Sequence, residues 1–231
     1  MRLILASASS RRADLLRAAG FEFETVAADV DESVRPNESP AEYVQRLASD
    51  KSAAVSTPMA SGLSRMNIEA AGRSVPAEGK GKDSNPAEAG RHEAGRHEAG
   101  SHGGREGPDV IVIGADTTVV VDGMILGKPR DDEESVAMLR QLSGRRHEVM
   151  TGISLRAGSR ERRHVETTGV YFATLSDEDV AWYVRSGEGR DKAGAYAIQG
   201  LGSRFIPRIE GSYTNVVGLP IAALCELIRS I

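Results

Sequence analysis

The sequence predicts an α/β protein. Short apolar runs rich in β-branched residues alternate with amphipathic stretches, the order expected when helices pack on a sheet. A turn signal, Asp122-Gly123, joins two such runs as a hairpin. Helix starts carry their own signals, capping patterns at Ser39-Pro-Ala-Glu42 and Ser176-Asp-Glu-Asp179 and a negatively charged first turn at Asp131-Asp-Glu-Glu134.

Composition bounds the function classes. With 231 residues the chain can bury a real core as one large domain or two small ones. A net charge of −4 supplies no basic field for nucleic acid or an anionic membrane. Cys225 is the single cysteine, which excludes an internal disulfide and fits a reducing compartment. No apolar run approaches the ~20 residues of a bilayer span. The opening Met1-Arg-Leu-Ile-Leu-Ala-Ser is too short for a secretory signal. A soluble, cytoplasmic protein is expected.

Leu3 to Ala6 reads as a strand and Ala13 to Ala19 as a helix stopped by Gly20. The small-residue turn between them, Ser7-Ala-Ser-Ser-Arg-Arg12, is a standard place to hold an anion. Free N–H groups and the helix dipole favour negative charge, and guanidinium matches phosphate oxygens. The alternative is a serine cap with solvated arginines. No Walker loop is present. Phe21 to Val26 alternates as a strand. Residues 29 to 38 form an acidic loop in which Glu32 is a candidate metal or water ligand; a solvated acid is the alternative. The helix from Ser39 turns Val44, Leu47 and Ala48 inward and carries Lys51.

From about Thr57 to Pro108 the pattern breaks. Glu88-Ala-Gly-Arg-His92 repeats as Glu93 to His97 and decays by His102. A Gly-rich five-residue period matches neither helix nor strand, so a disordered low-complexity insertion is expected, with weak metal binding by the histidines as the alternative.

Val110 to Ile113 is an apolar run suited to a buried strand, and a second run ends at Val121. Between them stand Gly114-Ala115 and Asp116. A carboxylate there needs a metal, a cation or a catalytic reason, because burying it alone is costly. Lys128 and Arg130 can return positive charge to the same region. An acidic centre framed by cations suits a phosphate substrate. After the helix from Asp131, strands at Glu148 to Arg156 and Arg163 to Thr174 should pair, with His147 at a strand edge. A helix follows Ser176. The stretch from Asp191 to Gly200 is small and polar, and Gln199 offers the donor and acceptor needed to read a base edge; an ordinary Gly-rich loop is the alternative. Phe205 to Ile209 reads as a strand, Gly211 to Asn215 as a turn, and Leu219-Pro220 starts a final helix.

These segments resemble the Maf family of nucleoside triphosphate pyrophosphatases. The matching stretches are Leu5-Ala-Ser-Ala-Ser-Ser-Arg-Arg12, Gly114-Ala-Asp-Thr117, Gly127-Lys-Pro-Arg-Asp131, Leu142-Ser-Gly144, Asp191 to Gly200, Gly211-Ser-Tyr213 and Val217-Gly-Leu-Pro220. They appear in family order and cover nearly the whole chain outside the insertion. Ser10 and Ala197 depart from the usual proline and glycine. Thr117 and the Ala-Tyr-Ala-Ile-Gln-Gly form resemble the branch acting on dTTP and UTP.

The resemblance implies an α/β fold with a mixed, twisted sheet flanked by helices, two-lobed and similar to inosine triphosphatases. It implies one domain over residues 1–231, interrupted at about 57–108. It implies hydrolysis of a nucleoside triphosphate to monophosphate and pyrophosphate with Mg²⁺ or Mn²⁺, by a homodimer. The family's proton acceptor falls on Asp116 and its specificity positions on Arg11, Thr117 and Gln199. Ser7, Arg12, Lys51, Lys128 and Lys192 match polar pocket positions; Glu32 and Asp116 are the candidate metal ligands, on the charge argument and not on the resemblance. No nucleic-acid or membrane partner is expected. A septum-formation regulator acting by binding alone is the alternative, one that would not require an acid among cations.

Overall fold

The computed structural model describes residues 1–60 and 110–231. The repeat segment with His92, His97 and His102 lies outside the described residues. The expected break at Thr57 comes later, because the helix before it runs on to Ala60.

Seven strands form one mixed sheet. They are β1 (Arg2–Ala6), β2 (Phe23–Val26), β3 (Val110–Val121), β4 (Met124–Leu126), β5 (Arg146–Ala157), β6 (Arg160–Tyr171) and β7 (Arg208–Glu210). Their order is β2-β1-β3-β5-β6-β7, with β4 also on β3. Strand β1 runs parallel to β2 and β3, and every other pairing is antiparallel. The helices are α1 (Ser10–Ala18), α2 (Pro40–Ala60), α3 (Asp132–Leu142), α4 (Asp177–Ser186), α5 (Tyr213–Val217) and α6 (Ile221–Ser230). Among the described residues no helix is long and apolar enough to cross a membrane.

The two apolar runs around Asp116 are one strand, not two. Strand β3 is continuous over twelve residues. Nothing breaks it because β5 pairs along it from Val112 to Val120. The other edge of β3 is shared. Strand β1 covers Val110 to Gly114 and β4 covers Val119 to Val121. Residues 115–118 have no strand neighbour on that edge, which leaves a notch in the sheet with Asp116 and Thr117 at its base.

Two apolar clusters flank the notch. One joins Leu3, Leu5, Ile111 and Ile113 to Leu16 of α1 and Leu224 of α6. The other joins Val119 and Val121 to Leu139 of α3, Tyr183 of α4 and Phe205. They are the two lobes, and β3 runs through both. Helix α2 lies on the opposite face, and glycine lets it come close. A Cβ on Gly114 would sit 2.1 Å from the Ala48 carbonyl oxygen, and one on Gly152 of β5 2.3 Å from that of Val44.

Several boundaries shift for local reasons. Helix α1 begins at Ser10, so both arginines fall inside its first turn and not in the preceding turn. Strands β5 and β6 meet at the two-residue turn Gly158-Ser159, which starts β6 three residues earlier than the apolar residues suggested. Residues Gly200–Phe205 form a 3₁₀ turn and β7 starts only at Arg208. Residues Tyr213–Val217 are a short helix capped by Ser212, where a turn was expected. The caps at Ser39 and Ser176 form, as does the Asp122-Gly123 hairpin, with φ of 51° and 76° at its two corner residues, and Asp131 caps α3 through the Glu134 N–H, where only an acidic first turn was expected.

Candidate active site

The notch opens into a cavity of about 730 Å³. Ser7, Arg11, Arg12, Glu32, Lys51, Asp116, Thr117, Lys128, Lys192 and Gln199 all line it. The pleat decides which side of the sheet each β3 residue serves. Asp116 faces α2 and Thr117, one residue on, faces the opposite side toward α1 and α5.

On the α2 side, Lys51 reaches down from α2 to the sheet. Its Nζ lies 2.7 Å from Asp116 Oδ1 and 2.6 Å from Glu32 Oε1, so one ammonium joins two carboxylates. Lys51 and Asp116 are both buried and Glu32 is exposed at the cavity mouth. Burial works to raise the Glu32 carboxyl, but Lys51, with Lys128 and Arg12 behind it, outweighs that and holds it below the ordinary value. The loop carrying Glu32 is pinned to α2. Arg46 donates to Glu38 Oε2 at 2.8 Å and to the Ser33 carbonyl at 2.9 Å, and Tyr43 donates to the Glu32 carbonyl at 3.0 Å. Arg46 holds the Glu38 carboxyl down to about 2. The Tyr43 hydroxyl is pushed up to about 12 by burial and then by Asp116 and Glu32.

On the Thr117 side, Arg12 is fixed by three bonds. Nε donates to the Gly218 carbonyl at 2.8 Å, Nη1 to Ser7 Oγ at 3.2 Å and Nη2 to Thr117 Oγ1 at 3.0 Å. Burial pulls this guanidinium below its ordinary value, with Asp116 working against the shift; an arginine keeps its charge all the same. Among the described residues the other two of its five N–H donors have no partner. Thr117 Oγ1 also meets Thr151 Oγ1 at 2.9 Å, so its hydroxyl is engaged in holding Arg12. Ser9 makes no side-chain capping bond to α1, which leaves first-turn amides open at the cavity edge.

The second lobe supplies the rim. Asp191 Oδ1 takes Lys192 Nζ at 2.5 Å, and Asp191 Oδ2 lies 3.8 Å from Arg11 Nη1 on the first lobe. Lys192 and then Arg11 hold this carboxyl below its ordinary range. The loop is mounted on the lobe through Tyr196, whose hydroxyl lies 2.7 Å from His147 Nε2. His147 is buried inside β5 between Phe172 and Tyr196, where a strand-edge position was expected. Burial, then Arg146, drops its imidazole to about 4. Lys128 is exposed and forms no ion pair among the described residues. Arg130 does not join the cavity; it turns back on the first turn of α3, with Nε 3.0 Å from Glu134 Oε2.

Among the polar lining residues, the sequence did not single out Tyr43, nor the role of Asp191 as a bridge. Tyr43 sits two turns before Lys51 on α2, a stripe that pointed to it. Asp191 was visible as an acid beside a cation, without the partner on the other lobe. Among the described residues no group of three or more His, Cys, Asp or Glu side chains comes together. Two carboxylates can still hold Mg²⁺ or Mn²⁺ if phosphate oxygens and waters complete the shell, the usual arrangement for these ions on nucleotides. Glu32 and Asp116 share one cation already, so the pair fits.

A family model described as Maf-like protein matches residues 2–231. Curated relatives agree. A dTTP/UTP pyrophosphatase of Hahella chejuensis is 40% identical over 98% of this chain and 89% of its own. That of Photobacterium profundum is 40% identical over 100% of this chain and 96% of its own. That of Vibrio cholerae is 40% identical over 99% and 97%.

Proposed function

The chain belongs to the Maf-like protein family, and from that premise we propose that it hydrolyses dTTP and UTP to the monophosphate and pyrophosphate. One observation carries the reading: a carboxylate, Asp116, lies at the base of a cavity where cations from both lobes converge. A triphosphate needs its charge neutralised before water can approach its α-phosphorus, and positioning with electrostatics does most of that work. Arg11, Arg12, Lys51, Lys128 and Lys192 take the phosphates, with Ser7 and the open α1 amides beside them. Asp116 accepts the proton as water attacks the α-phosphorus, and the bond from that phosphorus to the bridging oxygen breaks. Pyrophosphate leaves carrying the electron pair, already neutralised.

Glu32 and Asp116 would hold a divalent cation, Mg²⁺ or Mn²⁺, which supplies further charge neutralisation when bound. Arg11 and Gln199 select the base from the cavity rim, and Thr117 acts on selection through Arg12, which its hydroxyl orients. The role is a house-cleaning one on canonical and modified pyrimidine nucleotides. The same reading takes residues 1–231 as one domain in a cytoplasmic homodimer, with the segment at about 57–108 as an insertion. Removing residues 60–106 should leave turnover intact.

The test is a nucleotide panel read by pyrophosphate release, with and without EDTA. Release from dTTP and UTP ahead of CTP and purine triphosphates is expected. No release from any of them would leave the binding-only alternative.

A further inference from the structure

Lys51 sits where a cation shared by Glu32 and Asp116 has to sit. Its Nζ is within 2.7 Å of both carboxylates, and they come from separate segments, the 29–38 loop and β3. An ammonium and a divalent ion cannot occupy that point together, because metal–oxygen bonds of roughly 2.0–2.1 Å draw the same two oxygens inward. We propose that in the free protein Lys51 holds the divalent-cation position, and that it gives the position up to phosphate when a triphosphate brings its cation in. This rests on the reading above that the carboxylate pair works with a divalent ion.

Charge and chemistry both support an exchange. With Lys51 between them, the two carboxylates keep one formal negative charge in excess, but Arg12 and Lys128 also act on the pair, so a bare cation meets opposing charge until phosphate takes those cations up. A divalent ion at the pair would cancel both carboxylates and release the ammonium. Triphosphate oxygens are then its natural partner, and a lysine on an unbranched four-carbon stem can swing between the two where a guanidinium fork could not. Tyr43 and Arg46 anchor the Glu32 loop through its backbone, independently of Lys51. The carboxylate pair therefore stays assembled while the ammonium moves. Among the described residues no third His, Cys, Asp or Glu joins the pair to hold the ion without that exchange. Cation and nucleotide would therefore bind together strongly and the cation alone weakly.

The experiment is a Mn²⁺ titration of the full chain without nucleotide, following free Mn²⁺ by its paramagnetic resonance signal. Wild type should bind weakly. Lys51→Met, which keeps the stem and removes the charge, should bind Mn²⁺ at least tenfold tighter. Adding Glu32→Gln to that variant should cancel the gain. Lys51→Gln is the second variant and should tighten binding in the same direction. If Lys51→Met unfolds in chelator and recovers on adding Mn²⁺, the exchange is supported, since Mn²⁺ then does the work of the ammonium. Unchanged or weaker Mn²⁺ binding in the folded variants would overturn it. Because no nucleotide is present, that failure is separate from a failure of the pyrophosphatase reading, which the nucleotide panel reports.

Discussion

The floor and the rim of the cavity are built on opposite plans. On the floor one cation, Lys51, is shared by two carboxylates, Glu32 and Asp116. On the rim one carboxylate, Asp191, is shared by two cations, Arg11 and Lys192. The floor is short of positive charge and suits a metal ion; the rim is short of negative charge and suits phosphate. Their burial differs as much as their sign. The side chains of Lys51 and Asp116 are 9% and 11% exposed, those of Arg11 and Asp191 32% and 74%. Removing one partner from a buried pair costs about 3–5 kcal/mol, whereas an exposed pair contributes roughly 0–1 kcal/mol. The Lys51–Asp116 half of the floor is therefore fixed before substrate arrives, while Glu32, its side chain 49% exposed, is held by the backbone of its loop. The rim pair bridges the two lobes and contributes little to holding them.

Acid should separate the two by their mountings, with the largest effect on the rim. The rim loop hangs on neutral His147 through Tyr196. The folded imidazole titrates at about 4 against an ordinary 6.5. The unfolded chain therefore takes up a proton first, and stability falls as pH drops from 6.5 to about 4. The loss is on the order of 3 kcal/mol by pH 4. The floor's loop hangs on ionised Glu38, titrating at about 2 against an ordinary 4.5. Its contribution is full above 4.5 and is lost only as pH falls from there toward 2. Hydrogen exchange across pH 7 to 3 should show residues 191–199 loosening before residues 29–38. The reverse order would break the comparison.

Next in size is the seat of the floor. Gly152→Ala places a methyl against the Val44 carbonyl, a backbone atom that cannot turn aside. Helix α2 must lift, and a loss of about 1–3 kcal/mol is expected in urea unfolding. Turnover should fall with it while pyrophosphate inhibition, which reads the rim, changes little. A variant as stable and active as wild type would show that the close approach of α2 is not needed.

The smallest effect belongs to the rim pair. Asp191→Asn frees Arg11 and Lys192 from their carboxylate. Pyrophosphate should inhibit up to about fivefold more tightly, a gain that shrinks as salt is raised. Weaker inhibition would mean that Asp191 positions the cations and does not compete for them.

What could be read in advance follows the same division. Asp116, Arg12 and Gln199 could be picked out as candidates that line the cavity because each is a chemistry-bearing residue in a stretch of small or apolar neighbours, whereas Lys51 was marked only by the resemblance. The caps and the Asp122-Gly123 turn were legible because they are settled within four residues. Contacts between distant segments were not. That β3 is continuous depends on β5, whose paired residues lie 28 to 44 positions further along the chain. The burial of His147 depends on Tyr196, and the departure of Arg130 on a competing acid in α3. Asp191 was visible as a residue, yet its pairing with Arg11 spans most of the chain. The notch itself is a fact of pairing: β1 stops at Gly114 of β3 and β4 starts at Val119, which no single stretch records.

Asp116→Asn tests the centre of this picture most directly, with pyrophosphate release and dTTP binding measured on the same folded sample. Turnover should fall by about 10²–10⁴, the usual worth of a positioned base, while dTTP affinity measured in EDTA stays within a fewfold of wild type because Arg11, Arg12 and Lys192 are untouched. Turnover at the wild-type rate would remove Asp116 from the chemistry and leave the cavity without its proton acceptor.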